Sequence, residues 1–169
     1  MGISRPLRVC VFGATPAPEW MRALVASLHP DAQTQVFDKP DAITTLHSAA
    51  QRFPGEYLIV LSSGTALPPF WFERLAPALE LPDVLVASPL DNADPANAPL
   101  PSGVQSDADP QRIDALCWAH GMHQAIDWLR FSPLLSLWNG AALRGVAVEK
   151  ILTLTLPAFI APQRAVMLD

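Results

Sequence analysis

The sequence predicts an α/β fold, a three-layer α/β/α sandwich around a mostly parallel sheet. Short apolar runs rich in β-branched residues recur through the first ninety residues, as in strands that are buried on both faces. Between them lie segments whose apolar residues recur at helical spacing. Strands and helices that alternate over short links predict a sheet with helices on both faces and right-handed crossovers.

The composition is that of a folded domain and excludes several classes of partner. Half of the 169 residues are hydrophobic and 16% are charged, which is enough to bury a substantial core. The net charge of -5 and the absence of any basic run argue against a nucleic-acid surface. No apolar run reaches the ~18 residues of a membrane span, so no transmembrane segment is predicted. Two cysteines, Cys10 and Cys117, make no disulfide framework, which favours a cytoplasmic location.

Local signals predict the elements of the first half. Residues 7–12, LRVCVF, form the first strand, in which Cys10 is a small core residue. Thr15 and Pro16 predict the cap and first position of a helix that runs to about residue 28. Residues 33–38, QTQVFD, form the second strand, and Asp41 caps the second helix.

The stretch from residue 56 to residue 80 holds the third strand and the turn where chemistry is expected. The strand YLIVL ends in the polar turn 62–65, and ligands of open α/β sheets bind at the carboxyl ends of strands. Pro68 and Pro69 predict the start of a helix, whose positive end would face that turn. Its apolar residues are Phe70, Trp71, Phe72, Leu75 and Leu79. A fourth strand is predicted at 83–88.

The second half does not continue the regular alternation of strands and helices. Residues 91–110, rich in Asp, Asn, Ala and Pro, are either an acceptor lid or a flexible surface loop. A helix to about residue 123, strands AIDWLRF and LLSLWN, a short helix at 139–145 and the extended run ILTLTLPAFI follow. The apolar ending VMLD predicts a piece of a longer protein or a final strand that pairs with a neighbour. Further domains, or a homo-oligomer formed through this C-terminal apolar segment, are therefore expected partners.

Five stretches between residues 7 and 145 carry a family resemblance. They are VCVFGATPAPEWMRALVASL, QVFD, YLIVLSSGTALPPFWFERL, VLVASPLDNADPANAPLP and LLSLWNGAALRG. In this order they resemble the nucleotide-sugar-binding core of family 2 glycosyltransferases, which have the GT-A fold. The resemblance implies one GT-A-like domain over residues 1–169. Its parts would be a nucleotide-binding half at 1–90, a flexible loop at 91–110 and an acceptor-side half at 111–169.

The resemblance also implies an activity and a set of residues. The family moves a sugar from a nucleotide diphosphate to a glycan or lipid acceptor, as in polysaccharide biosynthesis. Asp38 ends the second strand, where the family has an aspartate that contacts the nucleotide base. The other matching residues are Ser62, Ser63 and Thr65 on the nucleotide side, and Asn92, Trp138 and Asn139 on the acceptor side.

The chain departs from the family at the metal turn. There the family has two acidic residues, a DXD pattern, because Mg²⁺ and Mn²⁺ prefer carboxylate oxygens. Here Ser62-Ser63-Gly64 takes their place, so neither ion is expected at this turn and no cofactor is predicted. The family's acidic base has no counterpart in a matching motif, and the nearest candidates are Asp127 and Glu149. The segment between the second and third strands also omits an extra strand of the family.

Each candidate also has a structural interpretation. Asp38 could simply end a strand, and the turn 62–65 could be one that has lost its ligands. The spacing of Cys117, His120 and His123 could present zinc ligands on a helix, although a fourth ligand is missing. Four tryptophans are candidate sugar platforms or core residues, namely Trp71, Trp118, Trp128 and Trp138.

Three functions stay open at this point. The first is a working glycosyltransferase, and the second is a GT-A-like binding or assembly module of a glycan-synthesis protein. The third is a doubly wound small-molecule-binding domain outside the family. The missing carboxylates favour the second over the first, because a diphosphate needs the charge of a metal or of Arg and Lys. The segment after Ser88 disfavours the third, since a plain doubly wound domain has another helix there.

Overall fold

The computed structural model describes residues 5–80, 84–89, 125–127, 134–145 and 164–168. Seven strands and three α-helices are found in these ranges. The elements are β1 (Leu7–Phe12), α1 (Pro18–Ala26), β2 (Gln33–Val36), α2 (Ala42–Arg52), β3 (Tyr57–Ser62), α3 (Trp71–Leu75), β4 (Val84–Pro89), β5 (Ala125–Asp127), β6 (Leu135–Asn139) and β7 (Arg164–Leu168), with 3₁₀ segments at Ala76–Glu80 and Ala142–Gly145. The predicted β-α-β-α-β-α-β order of the first ninety residues is confirmed.

All seven strands belong to one mixed sheet, in the order β2-β1-β3-β6-β4-β7-β5. Strand β1 pairs in parallel with β2 and β3, and β4 pairs in parallel with β7. Strand β6 runs antiparallel between β3 and β4, and β5 is antiparallel to β7. The α/β class is confirmed. The pairing is more mixed than expected, because three of the six strand pairings among the described residues are antiparallel.

Helices cover both faces of this sheet. One face packs against α1, α3 and the 3₁₀ segment after α3, and the other face packs against α2. Helix α1 carries the chain from β1 outward to β2, whereas α2 carries it back across β1 to β3. The carboxyl ends of β1 and β3 therefore form a topological switch point, where open α/β sheets bind ligands.

Helix α1 begins two residues later than the sequence predicts. Its first residue is Pro18 rather than Pro16, and its N-cap is Ala17, so Thr15 does not cap it. A proline pushes the preceding residue out of the helical region, and Ala17 has an extended backbone with ψ of 140°. In contrast, the predicted cap of α2 is confirmed, because Asp41 Oδ1 accepts hydrogen bonds from the N–H groups of Ile43 and Thr44, both at 2.9 Å.

The helix predicted after Pro69 is shorter than expected and does not include Phe70. Phe70 has a left-handed backbone with φ of 59° and is 71% exposed, so it is not part of the buried face. Helix α3 spans five residues and continues as a 3₁₀ segment. Pro77 accounts for this end, because proline lacks the N–H that an α-helix would bond to the carbonyl of Glu73.

The described parts of the second half contain the predicted strand β6 and a short 3₁₀ helix after it. Residues 164–168 form β7, which pairs with β4 on one side and β5 on the other within the chain's own sheet, whose outer strands are β2 and β5. The predicted loop 91–110, the helix after it and the run ILTLTLPAFI lie outside the described residues. None of the described helices is long and apolar enough to cross a membrane.

Gly140 is required by a close approach of two chain segments. Its N–H donates a 3.0 Å hydrogen bond to the carbonyl oxygen of Glu56, and a Cβ at this position would overlap that oxygen. We predict that Gly140→Ala lowers the free energy of unfolding by about 2–3 kcal/mol, the usual cost of overpacking. Urea denaturation measures this loss.

The matched control is Gly13→Ala, where a Cβ meets no atom within 4 Å and only the positive φ is strained. That control should cost about 1–2 kcal/mol. A loss at Gly140 no larger than the loss at Gly13 would contradict the overlap.

Cys10 is a core residue, as predicted. It is fully buried in the cluster beneath α2, and this burial raises the pKa of its thiol from 9.0 to about 12. The unfolded chain releases the thiol proton near pH 9, whereas the folded chain keeps it. The folded state is therefore stabilised below pH 9, and this stabilisation is lost as the pH rises toward 12.

We predict that the wild-type protein loses stability relative to Cys10→Ala between pH 9 and about pH 12. The relative loss approaches about 1.4 kcal/mol per pH unit, because one extra proton is released on unfolding. Urea titrations of both proteins at several pH values measure the difference, in which the other titrating groups cancel. A difference that stays constant over this range would show that the thiol ionises equally in both states.

Candidate functional site

The carboxyl ends of β1 and β3 lie side by side. Phe12, the last residue of β1, is in register with Ser62, the last residue of β3. Beyond this pair, the Ser63 N–H donates to the Phe12 carbonyl oxygen at 2.8 Å, so the turn after β3 begins directly beside the turn after β1. The predicted turn 62–65 therefore stands at the switch point of the sheet.

The loop after β2 joins the same edge from the other side of β1. The Phe37 N–H donates to the carbonyl oxygen of Val11 at 2.7 Å, and the Gly13 N–H donates to that of Lys39 at 3.0 Å. Asp38 is thus held level with the start of the β1 turn. We call Gly13, Asp38, Lys39 and residues 62–65 the edge site.

The turn 62–65 is fixed by its own hydrogen bonds and by its neighbours. Both the N–H and the hydroxyl of Thr65 donate to the Ser62 carbonyl oxygen, at 3.2 and 2.8 Å. The Ser62 N–H donates to the carbonyl oxygen of Leu134, the residue before β6, at 2.8 Å. The indole N–H of Trp20, in the first turn of α1, donates to the Thr65 carbonyl oxygen at 2.9 Å. The turn is therefore rigidly placed between α1, β1 and β6.

These bonds decide which groups of the turn are available to a ligand. The N–H groups of Ser62, Ser63 and Thr65 are all used, and so is the Thr65 hydroxyl. The hydroxyls of Ser62 and Ser63 are half-buried and form no hydrogen bond with any described residue. Of the predicted nucleotide-side residues in this turn, Thr65 thus supports the structure, and the two serine hydroxyls remain as donors.

Two glycines leave open space at the edge site. Gly13 has φ of +93° and Gly64 has φ of +80°, a backbone conformation that side chains rarely adopt. A Cβ at either position would meet no atom within 4 Å. A ligand can therefore approach the main chain closely at both turns.

The charges at this edge come from the loop after β2. Asp38 and Lys39 are both exposed, and neither forms an ion pair with a described residue. The turn 62–65 carries no charge. Asp41, which follows nearby, is committed to capping α2. Among the described groups of the edge site, one carboxylate and one ammonium are thus accessible.

The helix after Pro68 does not support the turn as the sequence suggested. Helix α3 begins at Trp71, six residues beyond Thr65. The Trp71 indole N–H donates to the Ser27 hydroxyl at 3.1 Å. Ser27 is the C-cap of α1, whereas Trp20, which contacts the turn, lies in the first turn of that helix. Helix α3 packs on a face of the sheet and does not begin at the turn, so the predicted arrangement of the turn at a helix N-terminus is not found.

The two described acceptor-side residues are not brought to the edge site. Trp138 is 1% exposed, and its indole N–H donates to the Ser136 hydroxyl at 2.8 Å within the core. Asn139 is in register with Tyr57, the first residue of β3, so it lies at the opposite edge, about 17 Å from the turn. Its Oδ1 accepts hydrogen bonds from the N–H groups of Ala141 and Ala142 and from Arg5. Both residues have structural roles there.

The remaining candidates are not near the turn or lie outside the described residues. Asp127 is on β5, four strands away from β3, which corresponds to about 19 Å. Trp71 is buried in the core and offers no sugar platform. The described ranges contain no group of three or more His, Cys, Asp or Glu residues that could hold a metal ion. The candidates that fall outside those ranges are Asn92, Cys117, Trp118, His120, His123, Trp128 and Glu149.

The sequence interpretation did not single out Lys39 in the edge site or Trp20, which contacts its turn. The signal for Lys39 is its place directly after Asp38, the predicted end of the second strand; in the structure β2 ends two residues earlier, at Val36. No local signal connects Trp20 with the turn, because the contact joins residues 45 positions apart.

No protein-family model matches this chain. Comparison with curated proteins and with solved structures also finds no match. The likeness to family 2 glycosyltransferases therefore depends on the order of the sequence motifs alone. A function has to be argued from the edge site itself.

We predict that Trp20→Phe loosens the turn while keeping the aromatic packing. Loss of the bond to the Thr65 carbonyl should cost about 1–2 kcal/mol of local stability and speed hydrogen exchange of the Thr65 amide about ten-fold. Exchange measured by NMR tests this. Trp71→Phe is the matched control, because it removes the bond to Ser27 at the opposite edge. Equal Thr65 exchange in both variants would contradict the role of Trp20.

Proposed function

We propose that this chain is a GT-A-like domain that binds a nucleoside diphosphate or its sugar derivative at the edge site. The observation that carries the proposal is the convergence of three loops at a switch point, around two glycine turns that face open space. Asp38 and the hydroxyls of Ser62 and Ser63 are the accessible groups that fit such a ligand. The family resemblance implies the same use of this edge.

The groups of the edge site match the two ends of a nucleotide. A carboxylate such as Asp38 accepts hydrogen bonds from the N–H groups of a base. The Ser62 and Ser63 hydroxyls can donate to phosphate oxygens. The loops after β2 and β3 lie two strand spacings apart, on either side of β1, which is about 9.5 Å. A nucleoside can bridge that distance across the open Gly13 turn.

The observations favour binding over catalysis. Sugar transfer needs charge at the departing diphosphate and a group that removes the acceptor proton. The turn 62–65 has no carboxylate to hold a metal, and Asp127 lies four strands away. We therefore propose a nucleotide-binding module of a glycan-synthesis protein. The antiparallel insertion of β6 between β3 and β4 supports this choice over a plain doubly wound domain, whose sheet is parallel at that place.

Calorimetric titration with UDP, GDP and TDP, each with and without Mn²⁺, tests the proposal. We predict a dissociation constant between roughly 1 µM and 1 mM for at least one of them. Asp38→Asn should weaken that binding about ten-fold, because a hydrogen bond to a charged acceptor is lost. Asp31→Asn is the matched control, since it removes the same charge at the other end of β2.

Absence of binding to all three nucleotides would refute the proposed function. Equal effects of the two substitutions would remove Asp38 from the site. Transfer of sugar from a nucleotide diphosphate to a glycan or lipid acceptor would show a working enzyme and overturn the assignment as a binding module.

A further inference from the structure

A diphosphate brings several negative charges into a site, and these need a metal ion or basic side chains as partners. At the edge site the turn 62–65 supplies only hydroxyls. The Ser62, Ser63 and Thr65 N–H groups are already bonded within the protein, so the turn offers little in place of a cation. If the proposed diphosphate binds here, a segment beside the turn is the natural source of positive charge.

Lys39 is the basic residue that the described structure puts at this edge. Its carbonyl oxygen accepts the Gly13 N–H at 3.0 Å, and its own N–H donates to the Phe37 carbonyl oxygen at 2.9 Å. Pro40 restricts its backbone further. The main chain is thus held beside the Gly13 turn, while the side chain is exposed and makes no ion pair among the described residues.

The other described basic side chains are placed elsewhere. Arg8 lies near the amino end of β1 and forms a bidentate pair with Glu56, at 3.0 and 3.2 Å. Arg5 donates to Asn139 at that same far edge. Arg52, at the end of α2, lies over the ring of Phe53, with 5.4 Å from its guanidinium carbon to the ring centroid. Arg74 is in α3, and Arg22 is exposed on α1, two residues after Trp20. Lys39 is thus the described basic residue that belongs to a loop of the edge site itself.

We propose that Lys39 supplies the positive charge for the diphosphate, so that the edge site binds its ligand without a divalent cation. This inference rests on the proposed nucleotide binding and assigns the phosphate partner within it. The lysine stem is long and flexible, and its ammonium can reach from the β2 loop across the open Gly13 turn toward the Ser62 and Ser63 hydroxyls. Asp38 and Lys39 then contact opposite ends of the nucleotide.

The test compares UDP and uridine as probes by NMR titration of the full chain, in EDTA and with Mn²⁺. The variants are Lys39→Gln, Lys39→Arg and the charge-matched control Arg52→Gln at the far edge. In the wild-type protein, UDP affinity should be the same within two-fold in EDTA and with Mn²⁺. It should fall with rising salt, because the contact is ionic.

Lys39→Gln should weaken UDP binding at least ten-fold and leave uridine binding unchanged. Lys39→Arg should keep most of the UDP affinity, and Arg52→Gln should stay within two-fold of the wild type. Binding of UDP that requires Mn²⁺, or equal effects of Lys39→Gln and Arg52→Gln, would overturn the inference and leave the proposed function standing. Failure of UDP, GDP and TDP to bind at all would overturn both.

Discussion

The structure depends on the complete burial of β3. Its residues from Leu58 to Leu61 are at most 1% exposed, and its main chain is hydrogen-bonded to β1 on one side and β6 on the other. A strand buried on both faces needs helices above and below the sheet, which α1 and α2 provide through short links. The position of the turn 62–65 follows from this, since the strand can end only where its two neighbours stop covering it.

The parts of the fold that could be predicted are those with local causes. The bounds of β1 and the Asp41 cap follow from runs of residues and from one side chain close to its donors. The insertion of β6 between β3 and β4 has no local cause, because its paired residues are at least 50 positions apart in the sequence. Likewise, Phe70 was assigned to a buried helical face by its spacing, whereas its left-handed backbone places it before the first turn of α3, with its side chain exposed.

The residues of the candidate site likewise separate into those that could be predicted from the sequence and those that could not. Asp38 and the serines could be predicted because each lies within two residues of the carboxyl end of a strand, and parallel strands end at one edge. The family resemblance assigned Trp138 and Asn139 to the acceptor side, but in the structure both residues have structural roles at β6. The indole fills the core, Asn139 Oδ1 caps the following 3₁₀ turn, and Gly140 permits contact with the Glu56 carbonyl. A short sequence motif cannot distinguish a packing role from a binding role, because both use the same residue types.

The internal bonding of the turn explains why it can keep its shape without an ion. In a carboxylate turn, the bound metal and the acidic side chains restrain each other. Here the Thr65 hydroxyl and N–H close the turn onto Ser62, and Trp20 secures it from α1. A turn that is rigid without a ligand does not lose conformational entropy when a ligand arrives. The turn thus supplies a fixed geometry without charge, and in the proposed site the charge comes from Lys39 in the adjacent loop.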